Sequence, residues 1–477
     1  MAKNKWISFQ KLTDRFRTTK KATAKQTKSY QIPGVYVEEI SNLPKSIAQV
    51  ETAVPAFIGY TEKTEIQNGQ NLTTKRINSL FEYELYFGSS PKESGISIDA
   101  TNHDDPTVDF HSPSKYLMHY AMQSFFANGG GSCFVVSCGI YSDGVINYQD
   151  LESALLKTSA IDEITLLVIP EAINLDNPQK HADLINRSLL ECSKLKDRFS
   201  ICDVYTHGGS YSDDISLFRN KVSGAGRLKY GAAYYPFLEM SLNKSFDPAK
   251  ITVTTSAGET SMASIESESP YLYQSIKSKI ERMPVLMPPS PAVAGQYTSV
   301  DMSRGVWKAP ANVSLNQVIK PSVSINDTQQ GSMNIDPVSG KSINAIRSFS
   351  GQGVLIWGAR TLDGNSNEWR YVPVVRLFMM VEESIKKGLE QVVFEPNNNN
   401  TWVTVKSMIE NYLTMLWKQG GIMGATPNDA YFVKVGLGST MTPDDILEGR
   451  MIIEIGMAVV RPAEFIVFSV LQKMKSP

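Results

Sequence analysis

The rhythm of apolar and polar positions changes several times along this chain, and each rhythm predicts a different element. From residue 114 onward, helical and strand patterns alternate. Residues 114–128 fit a helix closed by Gly129, Gly130 and Gly131. CFVVSCG (133–139) predicts a strand, 148–158 a helix, and the apolar run ITLLVIP (164–170) another strand. A long amphipathic helix over 181–198, FSICDVY (199–205), a helix over 213–222 and LKYGAAYYP (228–236) continue the series. Continuous apolar strands separated by helices predict a mostly parallel sheet covered on both faces.

The flanks read differently. Pro33 and Gly34 make a turn, VYVEEI (35–40) alternates weakly, and TAVPAFIGY (52–60) has the pattern of a buried strand. Polar loops follow over 61–113, with a short helix near 79–87. Residues 241–269 predict a surface hairpin or loop, and 271–281 a helix. Residues 282–312 are crowded with Pro284, Pro288, Pro289, Pro291, Gly295 and Gly305, around the single anchors Val293, Val306 and Trp307. Prolines fix φ and disfavour helix before them, so this stretch predicts a stiff irregular strap between domains, with no amphipathic helix. Residues 315–342 are polar and irregular. A strand and turn are expected over 351–361. A helix with the stripe Val374, Leu377, Phe378, Val381 and Ile385 covers 373–390, and a short strand 392–400. A helix over 402–419 ends at Gly420 and Gly421, and strands are expected over 431–437, 450–460 and 464–473. The last contains FIVFSVL, which must be covered by its own domain or by a neighbouring subunit.

At 477 residues several domains are expected, and the net charge of −1 argues against nucleic-acid binding by the chain as a whole. Residues 1–30 are an exception, with nine basic residues and one acidic residue. Trp6, Phe9, Thr13 and Phe16 fall at helical spacing there, predicting a short amphipathic arm that packs on a neighbouring subunit. A nucleic-acid or membrane-surface arm is the alternative. No apolar run reaches the ~20 residues of a membrane span. The first residues lack the apolar core of a secretory signal, so assembly in the cytoplasm is expected. Cys133, Cys138, Cys192 and Cys202 form no metal or redox spacing and read as reduced, small hydrophobes.

Chemistry-bearing motifs are sparse. Gly129, Gly130 and Gly131 run from helix to strand, the reverse of a phosphate-binding loop. His207, Gly208 and Gly209 have no GxSxG nucleophile to serve. The segment 99–111, with His103 and His111, lacks metal-ligand spacing and reads as a solvated acidic loop. No cofactor or metal is expected. A structural protein is favoured over an α/β hydrolase or nucleotide enzyme with a dispersed site.

Nine segments in order resemble the contractile tail sheath family of phage tails, R-type pyocins and related injection systems. They are IPGVYVEEI (32–40), TAVPAFIGYTE (52–62), FFANGGGSCFVVS (125–137), YGAAYYPFLEM (230–240), PPSPAVAG followed by RGVWKAPAN (288–312), INAIRSFSGQGVLIWGARTL (343–362), EWRYVPVVRLFMMVEESI (368–385), VFEPNNNNTWVTV (393–405) and PAEFIVF (462–468). The chain departs at Ser137, where many members have Arg, and at Val375-Arg376, where many have paired basic residues. The resemblance implies an α/β plus α+β multidomain protein. Its parts would be a basic arm (1–31), a β-rich N-terminal region (32–113), a central mostly parallel α/β domain (114–347), a C-terminal domain facing an inner tube (348–462) and a C-terminal arm (463–477). It also implies stacked six-fold rings of this chain around the tube, contraction on a baseplate trigger, and partners that include baseplate and terminal cap proteins. Membrane contact by the sheath is not required. Phe465, Ile466, Val467, Phe468, Val470 and Leu471 become candidates for a strand donated to a neighbour, and Lys386 and Lys387 candidates for the tube contact.

Overall fold

The computed structural model describes residues 46–64, 73–142, 144–206 and 210–466. The expected basic arm, the strand at 35–40, the loop at His207 and positions 467–477 lie outside these residues. The described residues belong to one compact unit.

A nine-stranded sheet forms its centre. In chain order the strands are β1 (Pro55–Thr61), β2 (Thr73–Ile77), β3 (Cys133–Ile140), β4 (Leu166–Val168), β5 (Phe199–Asp203), β6 (Gly231–Tyr235), β7 (Val313–Ser314), β8 (Ile343–Phe349) and β9 (Gly353–Ile356). Their order across the sheet is β7-β9-β8-β6-β5-β4-β1-β3-β2. The six strands from β8 to β3 run parallel. Antiparallel strands close both sides: β2 on β3, and β9 with β7 on β8. The parallel strands are the nearly continuous apolar runs of the sequence; β1, for example, is buried at all seven positions. The expected divisions after residues 113 and 347 both fall inside this sheet, because β1 and β2 precede the first and β9 follows the second.

Helices α1 (Leu80–Phe87), α2 (Met118–Ala127), α3 (Tyr148–Lys157), α4 (Pro178–Leu195) and α5 (Tyr211–Lys221) connect the strands up to β6. The stretch expected to be an irregular strap is instead largely α6, Ser290–Arg304, with a short strand at Val285–Met287 before it. Its prolines misled the expectation for a physical reason. Pro289 is the N-cap residue and Pro291 lies in the first turn, where a missing N–H costs nothing and φ is already helical. Every residue from Ser290 to Thr298 is buried, so no amphipathic period shows. Small residues let it approach α2: a Cβ on Gly295 would lie 2.6 Å from the Phe125 carbonyl oxygen.

Other expectations also shift. Residues 315–342 hold a strand (Val318–Pro321) and a helix (Asp327–Asn334) with a capping box on Asn326. The segment 95–112 forms two paired strands, not one loop, and a hairpin over 252–261 joins them. The strand expected over 392–400 is absent: a 3₁₀ turn (Glu390–Val392) leads into the next helix.

Beyond the sheet, α7 (Val372–Leu389) and α8 (Asn399–Lys418) pack with an antiparallel pair, β10 (Tyr431–Val435) and β11 (Ile453–Met457). Two hydrophobic clusters meet on α7. Val372, Val375 and Met379 join the sheet's cluster, while Leu377, Met380, Val381 and Ile385 join α8 and Val433. The anchors expected to bridge domains divide in the same way: Val293 lies in the first cluster, and Val306 with Trp307 in the second.

Replacing Gly295 by Ala forces α6 off the α2 backbone. A loss of about 1–3 kcal/mol is expected, as for other overpacked cores, read as a lower denaturation midpoint.

Candidate interface elements

Two ion pairs, one buried and one half-buried, organise the regions expected to carry function. The first joins α6 to α7. Arg376 on α7 donates to both oxygens of Asp301 on α6, at 3.0 and 2.5 Å, with the two side chains only 3% and 4% exposed. Thr52 completes the junction: its hydroxyl donates to Asp301 at 2.6 Å, and its carbonyl accepts from Arg376 at 3.0 Å. The guanidinium also lies 4.7 Å from the ring centre of Tyr297, whose hydroxyl pairs with that of Tyr234 on β6. A bidentate Arg fork suits this geometry where a Lys would not. The segment before β1 runs along α7 as well. Ile47 packs at Gly388, and the Val50 N–H donates to Ser384 Oγ at 3.0 Å.

The second pair roots the C-terminal segment. Arg360, which follows β9, donates to Glu464 from Nε at 2.9 Å and from its terminal nitrogen at 2.5 Å. Asn334 Nδ2 at 2.9 Å and the Tyr371 hydroxyl at 3.3 Å also donate to this carboxylate. Burial works against the charge of Glu464, but Arg360, Asn334 and Tyr371 overcome it and hold the carboxyl below its usual range. Phe465 and Ile466, directly after the clasp, are 68% and 84% exposed. Val467, Phe468, Val470 and Leu471 lie outside the described residues. Residues 460–466 form no strand, so the strand expected over 464–473 does not begin before 467. The strand expected over 450–460 is the shorter β11.

Lys386 and Lys387 lie in the last turn of α7, and both pair with Glu383, at 3.1 and 3.5 Å. Hydrogen bonding to Glu383 raises Lys386 above the usual lysine range. Glu383 thus partly neutralises the two candidates. The pair β10 and β11 is bonded only to itself among the described residues, so each strand has an outer edge without a partner strand.

In open α/β sheets, ligands gather at the carboxyl ends of strands where the order reverses. Here β1 lies between β3 and β4, and that crevice is filled from within. Glu171, just after β4, accepts N–H donors from Tyr60 (2.7 Å) on β1 and from Leu117 (2.8 Å) and Met118 (3.2 Å) at the start of α2. Burial pushes it up to about 8 despite those donors. Gly59 is required by this approach, since a Cβ there would lie 2.7 Å from Glu171 Oε2. Asp203 caps α6 in the same manner, accepting from the Ser290 N–H at 2.8 Å and its hydroxyl at 2.5 Å.

Comparison with known proteins fits these elements. Residues 365–473 match the phage tail sheath C-terminal domain family. The PVC sheath complex of an extracellular contractile injection system, in its contracted state, is 31% identical with a TM-score of 0.64; the match covers 94% of this chain and 99% of that one. The chain belongs to the contractile tail sheath family. The anti-feeding prophage helical sheath in its contracted state is 32% identical over 93% of this chain and 100% of the other, with a TM-score of 0.63. The prophage baseplate structure holds a similar chain, also at 32% identity and a TM-score of 0.63, covered in full by a match spanning 94% of this one. The tail sheath protein of Vibrio phage KVP40 is 25% identical over 179 residues, 38% of this chain and only 25% of that longer relative. The mixed α/β multidomain fold is that of the injection-system sheaths. This sheath protein is a structural subunit, and the alternative of a dispersed-site enzyme gives way. Among its described residues no helix is long and apolar enough to cross a membrane.

The Arg376 to Asp301 junction was not legible from spacing, because 75 residues separate its partners. Nothing in the local pattern around Arg376 pointed to Asp301. Replacing Arg376 by Ala leaves Asp301 buried without its partner and is expected to cost about 3–5 kcal/mol. Adding Asp301→Ala recovers part of that loss, a coupling that denaturant unfolding of the single and double variants measures.

Proposed function

We propose that this sheath protein polymerises as stacked six-fold rings around an inner tube and, on a baseplate trigger, contracts to drive the tube through a target envelope. The observation that carries the proposal is the near-complete coverage of the PVC and anti-feeding prophage sheaths at 31% and 32% identity. The chain's own geometry supports it. The clasp at Glu464 fixes where the apolar segment leaves the body, and that segment runs as the donated arm (463–477), with Phe465, Ile466, Val467, Phe468, Val470 and Leu471 as its contact residues. Its acceptor is an open edge of the β10–β11 pair on a neighbour, since backbone pairing gives affinity without rigid docking. A head-to-tail contact of this kind does not close on itself and generates a helix.

The C-terminal region faces the inner tube in this proposal, with Lys386 and Lys387 supplying charge toward it. Baseplate and terminal cap proteins bind the ends of the sheath. No nucleic acid or cofactor takes part, and assembly is cytoplasmic. Contraction runs downhill from a metastable extended lattice held by a barrier, which needs no nucleotide.

Negative-stain electron microscopy of the purified chain tests this. Hollow striated tubules or stacked rings are expected, in the contracted form because no tube or baseplate holds the extended one. Truncation after Glu464 keeps the clasp and abolishes them. A monodisperse monomer or dimer across salt and concentration would contradict the proposal.

A further inference from the structure

Helices α2 and α6 pack so closely that a Cβ on Gly295 would meet the Phe125 carbonyl oxygen. Neither has a capping side chain of its own: Leu117 and Pro289 hold the N-cap positions. Their first N–H groups are served instead by two acids at the carboxyl ends of the neighbouring strands β4 and β5. Glu171 accepts from the Leu117 and Met118 N–H groups of α2 and from the Tyr60 N–H of β1. Asp203 accepts from the N–H and the hydroxyl of Ser290 on α6. Glu171 is fully buried and Asp203 is 4% exposed, and among the described residues neither forms an ion pair. A carboxyl so placed takes up a proton more readily than it stands charged, because an unpaired buried charge is the costlier state.

The titratable groups facing the two acids are neutral or acidic. Tyr83 on α1, Cys138 on β3 and Tyr141 just after it surround Glu171, and burial pushes all three up. Tyr60 donates its hydroxyl to Asp150 at 2.7 Å. His119 on α2, which burial pulls below its usual range, pairs with Glu84, and Glu62 lies on the same side. His181 on α4 and Cys202 line a small cavity beside Asp203; burial drives the imidazole down to about 4 and the thiol up to about 12. Tyr234 lies opposite Asp203 on β6 and is bonded to Tyr297 on α6. Burial therefore outweighs the N–H donors, and lifts Glu171 to about 8 and Asp203 to about 7.

We propose that Glu171 and Asp203 form a proton-held double clamp on the α2–α6 layer, tight while both acids carry their protons and loosened as the solution turns alkaline. An acid whose pKa is raised on folding binds a proton as the chain folds. Its stabilising contribution is full below the ordinary carboxylate range, about pH 4, and is lost as the pH rises through the folded values of both acids. His181 works the other way, since its contribution is present above the ordinary histidine range and lost as the pH falls toward about 4. Helix α6 is also the helix that Asp301 fastens to Arg376, so the layer held by these protons is the one that carries α7.

Urea unfolding of the dispersed full-length chain from pH 5 to pH 9 tests the clamp, with Glu171→Gln, Asp203→Asn and the double variant alongside. The amides cannot titrate. Each replaces an accepting oxygen by a donor and lowers stability at every pH, so the readout is the slope against pH. Between about pH 5 and pH 8 the wild-type unfolding constant is expected to rise at least about tenfold more than that of either single variant, and about a hundredfold more than that of the double variant. His181 is common to all four chains and cancels. A difference under tenfold, or one of opposite sign, would overturn the clamp. Should the variants fail to fold, hydrogen exchange of the wild-type chain decides. Protection of the Leu117, Met118 and Ser290 amides, corrected for the intrinsic rate, is expected to fall at least about tenfold from pH 6 to pH 9 while that of α8 holds. Unchanged protection at these three amides would overturn the proposal.

Discussion

One buried pair, Arg376 with Asp301, holds the two halves of this protein at a fixed angle. It lies where α6, α7 and the segment before β1 meet, with α6 packed into the sheet's cluster and α7 shared between both clusters. Removing two charges from water is expensive, so a buried pair is weak evidence for stability in itself. Its value here is geometric: a bidentate fork tolerates little sliding. The α/β body and helices α7 and α8 are therefore locked, and relative motion falls to the segments outside the lock.

The same division appears in the chain's ends. Glu464 is held by Arg360, Asn334 and Tyr371, and two residues later the chain is apolar and exposed. A fixed root followed by the exposed Phe465 and Ile466 suits the link between copies proposed above. Inside the body, carboxylates close gaps: Glu171 fills the crevice at the sheet's reversal, and Asp203 caps α6. The place where related sheets bind ligands is occupied by the chain's own carboxyl group. The architecture is thereby kept for packing.

Local pattern made much of this legible. Strands with almost no polar residues, such as β1 and β4, announced a parallel covered sheet because burial on both sides favours apolar residues throughout. The clean stripe on α7 gave its helix to within a residue or two. Helix α6 failed because burial on all sides erases periodicity, and prolines that begin a helix look like prolines that forbid one. The division into domains failed where β1 and β9 cross into the central sheet, since pairing across hundreds of residues leaves no local mark. The junction at Arg376 and the clasp at Glu464 were hidden for the same reason. Of the candidate arm, Phe465 and Ile466 proved exposed, and Lys386 and Lys387 both pair with Glu383 one turn back.

A rigid body linked to its copies through segments outside the lock has a distinct exchange signature. Hydrogen exchange compared between dispersed and assembled chains tests it most directly. Amides of α6 and α7 are expected to exchange equally slowly in both states, while those of 465–477 become slow only on assembly. Fast exchange of 465–477 in the assembled state, or a change in α6 protection on assembly, would contradict it.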